Sequence, residues 1–558
     1  MTTLGKVFLT LLILGAAGLG AYKWWDKLNP AASSSASAKA VPGQPAADKT
    51  TGASSLDAAD FIAPLDACPL LPPAGAYVAK DNIVDLELSE YAGYSGIIVA
   101  NGGLEPTENS FFFRKHGFKV RIKLSEEESW PALNAGRIAA AATTVDVLTA
   151  YCRNFQVIAP VQIGFSRGAD GIVVRKEIRR INDLKGRTLV TSQFTEADFF
   201  IRYLAQEAGL GVNMLRSPAE RPDPERLNLL FAVDAFAAGD LFLKDLESGS
   251  NRIAGCVSWA PKTTEVVAAS KGAAVMLTTN KNLLIIADIL VVNKGFAQAN
   301  PKWVAGLTEG VLEGNRMVRD NPAAHLDVIS KAFKWSAAEA RDELAKVHLS
   351  NLPENLAFYS GAIDSAGSFS GIFSSALLAY GQLIDQPTDA DRYMNTTHLE
   401  ALKASGAFAG QVISISPIRS QAGGALEGDP LLSKDIRFLF EPNSSKLDMG
   451  HGENLTNLDS IKRLLQVSPG STILLRGHVD NALVEKFRKE GGEPFVRQMA
   501  LKAMELSKNR AAEIKSTLVQ RLTVDAVRIE TIGRGWEEPG GIDAEKNRRV
   551  EVQWFTVE

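Results

Sequence analysis

The sequence predicts an α/β protein in which a large region of alternating strands and helices forms two lobes and a smaller α+β domain follows. Three observations predict this architecture. The chain has 558 residues, which is enough for two to four domains with buried cores. Strand-like and helical patterns alternate over residues 81–381, a length that suits two lobes. A connector containing Pro and Gly then separates this region from a last segment with its own strands and helices.

Composition and charge exclude one class of partner. Hydrophobic residues make up 46% of the chain and charged residues 22%, as in ordinary folded proteins. The net charge is −4, and no segment supplies the basic face that nucleic-acid binding requires. We therefore expect no nucleic-acid partner.

The N-terminal end carries an apolar stretch, residues 7–22, that predicts a single membrane helix. Its sixteen residues make about 24 Å of helix, against a bilayer core of about 30 Å, and Trp24 and Trp25 extend it into the interface. A cleaved signal peptide is the alternative, but small-residue cleavage sites fall inside the apolar run or well beyond it. No Cys follows closely, which excludes a lipoprotein, and no Asp or Glu lies within the stretch, which excludes an ion-conducting stator helix. We expect an uncleaved transmembrane anchor over residues 4–25.

Two segments are predicted to be linkers. Residues 28–66 are rich in Ala, Ser and Pro without hydrophobic periodicity, a composition typical of a flexible tether. Residues 386–432 contain Ser416-Pro417 and Gly423-Gly424 and are predicted to be a connector.

The large domain, residues 81–385, shows apolar runs in alternation with amphipathic stretches. This alternation is typical of parallel sheets covered by helices. The first predicted strands are residues 83–90, 118–124 and 138–142, and the first predicted helices are residues 94–101, 127–135 and 145–152.

A ligand site can be placed in this domain, because open parallel sheets bind ligands beyond the carboxyl ends of their strands, near helix N-termini. Hydroxyl groups and helix N-termini there suit an oxyanion, and aromatic rings suit an organic group. For each residue the alternative is a capping or packing role. Arg167 could clamp an anion or face solvent, and we leave it outside the site. The predicted ligand-binding residues are Tyr91, Tyr94, Thr143, Thr144, Ser192, Thr195 and Trp259.

The order of several short motifs in this domain resembles the periplasmic substrate-binding proteins of the nitrate, sulfonate and taurine transport class. The resemblance implies a bilobal type II periplasmic-binding fold that closes over a small ligand. We expect the lobes to be joined near Asp170 and within residues 230–260. The motifs are Glu90-Tyr91-Ala92-Gly93-Tyr94, Ala132-Leu133-Asn134-Ala135-Gly136-Arg137-Ile138, Gly171-Ile172-Val173-Val174-Arg175, Asn182-Asp183-Leu184-Lys185-Gly186-Arg187, Trp259-Ala260-Pro261 and Ile289-Leu290-Val291-Val292-Asn293.

The last domain, residues 433–558, has patterns suited to one sheet with a buried face. Its predicted strands are residues 436–440, 472–477, 527–533 and 549–555, with an amphipathic helix at 454–466.

Three motifs in this domain resemble, in this order, the OmpA-like peptidoglycan-binding domain of bacterial envelope proteins. They are Gly477-His478-Val479-Asp480, Leu506-Ser507-Lys508-Asn509-Arg510-Ala511 and Asn547-Arg548-Arg549-Val550-Glu551. The resemblance implies that Asp480 and Arg510 bind the diaminopimelate of the wall stem peptide. A carboxylate can pair with its ammonium group and a guanidinium with its carboxylate. An OmpA-like fold without wall affinity is the alternative.

Motifs for catalysis are missing from the sequence. The six histidines form no HExxH motif or close pair, and the chain has no P-loop and no Gly-x-Ser-x-Gly turn. We expect no enzyme activity, no metal site and no cofactor. Cys68, Cys152 and Cys256 form no CxxC motif and are expected to be buried free thiols, with a disulfide between two of them as the alternative.

Together these features predict a single-pass protein of the bacterial inner membrane with most of its chain in the periplasm. It is expected to bind a small solute, an oxyanion being one candidate, and to attach to peptidoglycan. An envelope transport complex is a further candidate partner. The alternative function is a spacer between inner membrane and wall, whose two-lobed domain has lost its ligand.

Overall fold

The computed structural model describes residues 56–125, 130–362, 367–415, 430–441, 444–468, 470–541 and 544–556. The predicted anchor over residues 4–25 and most of the predicted linker lie outside these ranges. None of the helices within the ranges is both long enough and apolar enough to cross a membrane.

The described chain folds into three sheets with helices packed around them. Its strands are β1 (Ile83–Leu88), β2 (Lys119–Leu124), β3 (Ala140–Thr144), β4 (Val157–Ser166), β5 (Asp170–Arg175), β6 (Thr188–Thr191), β7 (Val212–Met214), β8 (Leu227–Phe231), β9 (Gly255–Trp259), β10 (Ala274–Thr279), β11 (Ala287–Asn293), β12 (Val347–Leu349), β13 (Leu432–Ile436), β14 (Thr472–Gly477), β15 (Ile529–Gly533) and β16 (Val550–Phe555). Its α-helices are α1 (Ser95–Asn101), α2 (Phe111–His116), α3 (Trp130–Asn134), α4 (Val145–Tyr151), α5 (Glu196–Glu207), α6 (Ala235–Ser248), α7 (Lys262–Ala269), α8 (Lys294–Ala299), α9 (Pro301–Asp320), α10 (Leu326–Phe333), α11 (Ala337–Leu344), α12 (Leu352–Ser360), α13 (Phe369–Tyr380), α14 (Thr397–Ala404), α15 (Gly452–Val467), α16 (Val484–Leu522) and α17 (Ala544–Asn547).

The first two sheets have the same strand plan. Lobe 1 has the order β12-β4-β11-β3-β1-β2, and lobe 2 has the order β10-β5-β9-β6-β8-β7. In lobe 1, β1 and β3 are parallel, and β11, which enters from lobe 2, runs antiparallel to β3. In lobe 2, β6 and β9 are parallel, and β5, which enters from lobe 1, runs antiparallel to β9. This repeated order is the type II periplasmic-binding topology, so the predicted bilobal α/β fold is confirmed, with mixed rather than purely parallel sheets.

The chain crosses between the lobes twice. The first crossing follows β4 and ends at Asp170, as predicted. The second lies between β10 and β11, at residues 280–286, and the prediction of a crossing within residues 230–260 is wrong. Strands β8 and β9, which supply the apolar runs of that segment, both lie inside the lobe 2 sheet, where their side chains are buried.

Both predicted linkers are shorter than expected. Leu56 is buried in the apolar core of lobe 2, and Ile62 pairs with Phe231. At the other end, residues 386–415 are not a free connector, since Tyr393 is fully buried and its hydroxyl donates to the Cys152 carbonyl. Isolated apolar side chains within polar sequence anchor these segments, and composition averaged over the segment does not reveal them.

The three cysteines are free thiols. Cys152 and Cys256 are buried and Cys68 is half-buried. Burial raises the pKa of Cys256 to about 12 and also raises the pKa of Cys152, so both thiols remain protonated near neutral pH.

The C-terminal sheet has the order β13-β16-β14-β15, with α16 packed on it, α15 packed against α16, and Trp554 fully buried. The predicted strand at residues 436–440 is displaced toward the N-terminus, because β13 pairs with β16 over Leu432–Ile436. Helix α16 is interrupted at Gly492, whose φ of 65° and ψ of −167° are not helical.

The C-terminal domain lies against lobe 2 and against the second crossing. Asn182 of lobe 2 exchanges two hydrogen bonds of 2.8 Å with the backbone of Ser433. The Leu284 amide, within the second crossing, donates to the Val467 carbonyl at 2.7 Å. The wall-binding candidate is therefore attached directly to the segment that joins the lobes.

Asn280 ties the two crossings together. Its side-chain oxygen accepts from the Gly168 amide at 2.7 Å, and its amide group donates to the Ser166 carbonyl and to the Asp170 carboxylate, each at 3.1 Å. Ser166 also donates to the same carboxylate at 2.5 Å. Every residue of this network except Gly168 is at least nine-tenths buried.

Asp170 of this network is one of three buried acids with raised pKa values. Burial raises the pKa of Asp146 to about 7 and that of Asp170 to about 6. Burial, followed by repulsion from Asp170, raises the pKa of Asp288 well above its ordinary value. Asp198, which also raises the pKa of Asp146, is paired with Arg202 at 2.6 Å. Carboxyl groups buried without matching cations retain their protons into the neutral range.

These acids predict how stability depends on pH. An acid whose pKa is higher in the folded state stabilises the fold fully below its unfolded-state pKa, 3.8 for Asp146, and loses that contribution as pH rises through the folded-state value of about 7. Between pH 4 and pH 7 the ionisation of one such acid lowers the free energy of unfolding by up to about 1.4 kcal/mol per pH unit. Asp146→Asn should therefore make the free energy of unfolding fall less steeply over this range. Denaturant midpoints measured across this range test it. Asp342→Asn, at an exposed acid of lobe 1, is the control, and an Asp146→Asn profile parallel to wild type would contradict the prediction.

Candidate functional site

A cavity of about 330 Å³ lies between the lobes. Its walls come from the carboxyl ends of β1 and β3 in lobe 1 and of β6, β8 and β9 in lobe 2, together with the residues that follow these strands. This is the position at which parallel α/β sheets bind ligands. The lining residues are Glu87, Leu88, Ser89, Tyr94, Ser125, Trp130, Ala141, Ala142, Thr143, Thr144, Ser192, Gln193, Thr195, Glu196, Val233, Asp234, Ala235 and Trp259.

The structure brings the predicted ligand-binding residues together. Tyr94, Thr143, Thr144, Ser192, Thr195 and Trp259 line the cavity. Tyr91 lines a smaller adjoining cavity that Tyr94, Thr144 and Trp259 share with it. Tyr91 and Tyr94 donate to the Asp288 carboxylate at 3.4 and 3.3 Å, and their rings meet edge to face at 5.2 Å between centroids. Burial, and then Asp288, raise the pKa of both tyrosines well above the ordinary value.

Two threonines occupy the last positions of β3 rather than the loop after it. Thr143 and Thr144 are each 4% exposed. The Thr143 hydroxyl forms no hydrogen bond with any other part of the described chain. An unpaired buried hydroxyl is costly, on the order of 1–3 kcal/mol, so this group is available to a ligand in the cavity that it lines.

Aromatic rings supply the apolar part of the lining. Tyr94 and Trp130 are 4% exposed and Trp259 is 9% exposed. The Trp259 ring also packs against Phe236 at 5.6 Å between centroids. These rings come from both lobes, so a ligand touching them contacts both.

The charged residues of the lining are all acidic: Glu87, Glu196 and Asp234. No Lys, Arg or His lines the cavity among the residues that the structure describes. Arg167, considered above as an anion clamp, lies outside the lining, and its Nε donates to the Lys281 carbonyl at 3.4 Å. This charge does not fit the oxyanion considered from the sequence.

Sequence reasoning missed these acids, although the same rule about strand ends could have found them. Asp234 follows β8, and Glu196 comes directly after the predicted Thr195. Glu87 lies within β1 and is buried, with Lys123 at 3.2 Å. Hydroxyl-bearing residues were chosen instead because they suit an oxyanion.

The second candidate site, in the C-terminal domain, depends on a close approach of α16 to β14. A Cβ atom at Gly477 would overlap the Ser507 carbonyl oxygen, so only glycine permits this packing. The Ser507 hydroxyl accepts from the Gly535 amide at 3.0 Å, and the Val479 amide donates to the Gly535 carbonyl at 2.8 Å. The small residues of the first two motifs therefore set Asp480 beside the turn of α16 that carries Arg510.

Asp480 and Arg510 lie in one charged group with Arg548. Asp480 is 3.3 Å from the Arg548 Nε, and the Arg510 guanidinium lies 4.7 Å from the centroid of the Phe440 ring. Burial, followed by repulsion from Arg548, lowers the pKa of Arg510, while Asp480 raises it. The Arg510 Nε is buried and forms no hydrogen bond within the described chain. One acid and two guanidinium groups can hold an ammonium and a carboxylate side by side.

Arg548 and Phe440 were not predicted as site residues. Arg548 belongs to the third motif, so the sequence contained the signal. The other three polar residues of that motif stabilise the fold: the Asn547 side chain accepts from the Gly540 and Gly541 amides, Arg549 lies 2.9 Å from Asp435, and Glu551 pairs with Arg476.

His478 lies close to Glu538 and Glu551, a grouping of metal-ligand types that the sequence did not predict. The Arg476 guanidinium bridges the two glutamates at 2.6 Å each. Hydrogen bonding to His478 is the largest of the interactions that lower the pKa of Glu551, and together they bring it to about 2 although burial opposes them. The Arg476 and Arg534 guanidinium groups already pair with these two carboxylates, so we assign them to an ion-pair network.

Comparison with known proteins agrees with the two-part architecture. Residues 439–553 match the model of the OmpA family. No curated protein matches the chain significantly. Among solved structures, the alkanesulfonate-binding protein SsuA from Xanthomonas axonopodis pv. citri bound to MOPS is 13% identical, with a TM-score of 0.42 over 57% of this chain and 100% of that one.

Two further solved structures show a similar extent of likeness. A putative sulfonate-binding SsuA from Methylobacillus flagellatus KT is 16% identical, with a TM-score of 0.43 over 60% of this chain and 98% of that one. The nitrate-binding protein NrtA from Synechocystis PCC 6803 is 13% identical, with a TM-score of 0.40 over 58% and 89%. By its own strand order the first part of the described chain has the type II periplasmic-binding topology, and residues 439–553 match the model of the OmpA family.

Proposed function

We propose that this protein binds a small solute between its lobes and attaches to peptidoglycan through its C-terminal domain, while residues 4–25 anchor it in the inner membrane. The observation that supports solute binding most directly is the cavity itself. It is unfilled by side chains, polar groups from both lobes converge on it, and it contains the unpaired Thr143 hydroxyl.

The spacer alternative is less well supported. A two-lobed domain that has lost its ligand is expected to fill its cleft with side chains, because an empty polar cavity leaves buried groups unpaired. The lining instead includes the small residues Ala141, Ala142 and Ala235, which leave the space open.

The first prediction concerns the cleft. A screen of small solutes against the full-length chain should yield at least one that raises the melting temperature, since binding to the folded state stabilises it. Trp259→Ala should weaken binding of that solute about thirtyfold or more by removing a buried aromatic contact. Thr143→Val should weaken it by about fivefold by removing one hydrogen bond. Thr397→Val, at an exposed residue outside the cavity, is the control. Unchanged affinity in both cleft variants would place the solute elsewhere.

The second prediction concerns the wall. The full-length chain should co-sediment with purified peptidoglycan, and Asp480→Ala or Arg510→Ala should abolish most of that binding. Loss of one partner of a charge-assisted contact costs on the order of 2–5 kcal/mol. Glu505→Ala and Lys502→Ala remove one charge of each sign from exposed positions of the same helix and serve as controls. Equal sedimentation of all four variants would refute the assignment of Asp480 and Arg510.

The third prediction concerns the anchor. A reporter that is active only in the periplasm should be active when fused after Glu558, and the protein should remain in the membrane fraction after a high-salt wash, since an apolar helix does not depend on salt-sensitive contacts. Replacing Leu11 and Leu14 with Asp should release it or block its export, whereas Leu→Ile changes at both positions should not. Recovery of a soluble wild-type form that begins near Lys23 would show cleavage instead.

A further inference from the structure

We propose that the solute bound in the cleft is a small organic cation carrying an ammonium group. This inference rests on the proposed solute binding and names the chemical class of the ligand. It reverses the charge of the oxyanion considered from the sequence.

The charge of the lining is the first argument. Glu196 and Asp234 of lobe 2 line the cavity together with Glu87 of lobe 1, which is paired with Lys123 at 3.2 Å, and no basic side chain lines it among the described residues. The stretch of sequence between the lining residues Ser125 and Trp130, residues 126–129, lies outside the described part of the chain and contains no Lys, Arg or His. An anion would meet repulsion in this cleft, and a cation would be attracted.

One helix N-terminus at the cleft, that of α6, gives the second argument, because one of the chain's own carboxylates already caps it. The Asp234 carboxylate accepts from the Ala237 amide at 2.7 Å. This amide is one of the donors that would otherwise bind an oxyanion at this helix N-terminus.

The adjoining smaller cavity adds further acidic groups. It is lined by Asp170 and Asp288 as well as by Glu196. Asp288 accepts hydrogen bonds from two tyrosine hydroxyls, and burial, followed by Asp170, raises its pKa well above the ordinary value. A cation at the junction of the two cavities would favour the ionised form of these carboxyl groups.

The aromatic rings of the cavity favour an organic cation over a metal ion as the ligand. Tyr94, Trp130 and Trp259 supply ring surface on which an ammonium group and its attached carbons can pack. The acids of the cleft do not converge as metal ligands do: in the described chain the one grouping with such geometry is that of His478, Glu538 and Glu551. A cavity of about 330 Å³ also exceeds the space that a single ion needs.

The Thr143 hydroxyl gives an observation that is independent of charge. It is buried, it lines the cavity, and it has no partner within the described chain. A hydroxyl can accept from an ammonium N–H or pair with a polar group elsewhere on the ligand. The cavity is therefore built to receive a molecule and is not merely an acidic surface.

The test compares probes of the same shape and different charge. Choline, putrescine, agmatine and cyclohexylamine are the cations, 3,3-dimethylbutan-1-ol is the neutral isostere of choline, and ethanesulfonate and nitrate are the anions. Melting temperatures of the full-length chain are measured with each probe, and affinities of the binders by calorimetry. We expect at least one of the cations to bind. If choline binds, its affinity should exceed that of its neutral isostere by about tenfold or more.

Variants that remove the charge of single acids test whether the acids of the cleft bind the cation. Asp234→Asn removes a charge but keeps a side chain that can still cap α6, so it should weaken the cation by about tenfold without unfolding the chain. Glu196→Gln should act in the same direction. Glu247→Gln removes one charge from the exposed far end of α6 and should change nothing. Trp259→Ala should weaken any ligand of this cleft, whatever its charge.

Each outcome decides a different point. Binding of an anion or a neutral probe that Trp259→Ala weakens would overturn the cation and leave solute binding intact. Cation binding that Asp234→Asn and Glu196→Gln do not weaken, or that Glu247→Gln weakens equally, would also overturn it. Failure of every probe to bind would count against the cation and against the solute-binding function together.

Discussion

The geometry of the cleft depends on one buried side chain, the Asn280 amide, which holds both crossings between the lobes. It accepts from Gly168 in the first crossing and donates to Ser166 and Asp170 at its two ends. Four strand ends and two lobes are therefore positioned by a single hydrogen-bonded point. The Asp170 carboxylate that takes part is buried with its pKa raised to about 6, so the hinge is polar without being firmly charged. A change in the environment of the Asp170 carboxyl group therefore affects the hydrogen bonds that join both lobes.

The C-terminal domain is attached to the same region. The Leu284 amide of the second crossing donates to the Val467 carbonyl at the end of α15, and Asn182 of lobe 2 is bonded to the backbone of Ser433. Glu207, at the end of α5, is half-buried at this junction, and burial raises its pKa although Lys434 and Arg463 oppose the shift. The two candidate sites thus belong to one packed body, and α5 begins at the cleft and ends at the OmpA-family domain.

Sequence reasoning located most of the fold and the position of both sites, for identifiable reasons. Alternating patterns found the first three strands of lobe 1, and the rule about strand ends brought Tyr94, Thr144, Thr195 and Trp259 to one cavity. It could not find the second crossing at residues 280–286, because nothing in a local pattern distinguishes a strand that stays in its sheet from one that changes sheets. It also misjudged residues 386–415, where burial of Tyr393 depends on a tertiary contact with Cys152. Register shifts, as at β13, are set by pairing with β16.

Sequence reasoning also misjudged the charge of the cleft, for a further reason. Hydroxyl groups and helix N-termini in this topology indicate an anion only when the helix ends are free, and a carboxylate two or three residues away can accept the same amide protons. Asp234 does so at α6, where its carboxylate accepts from the Ala237 amide. The fold therefore keeps its ligand position, while one of its own side chains takes a donor that an oxyanion would use. What remains in the cavity is an aromatic surface, an unpaired hydroxyl and an excess of negative charge, and these groups are complementary to a cation.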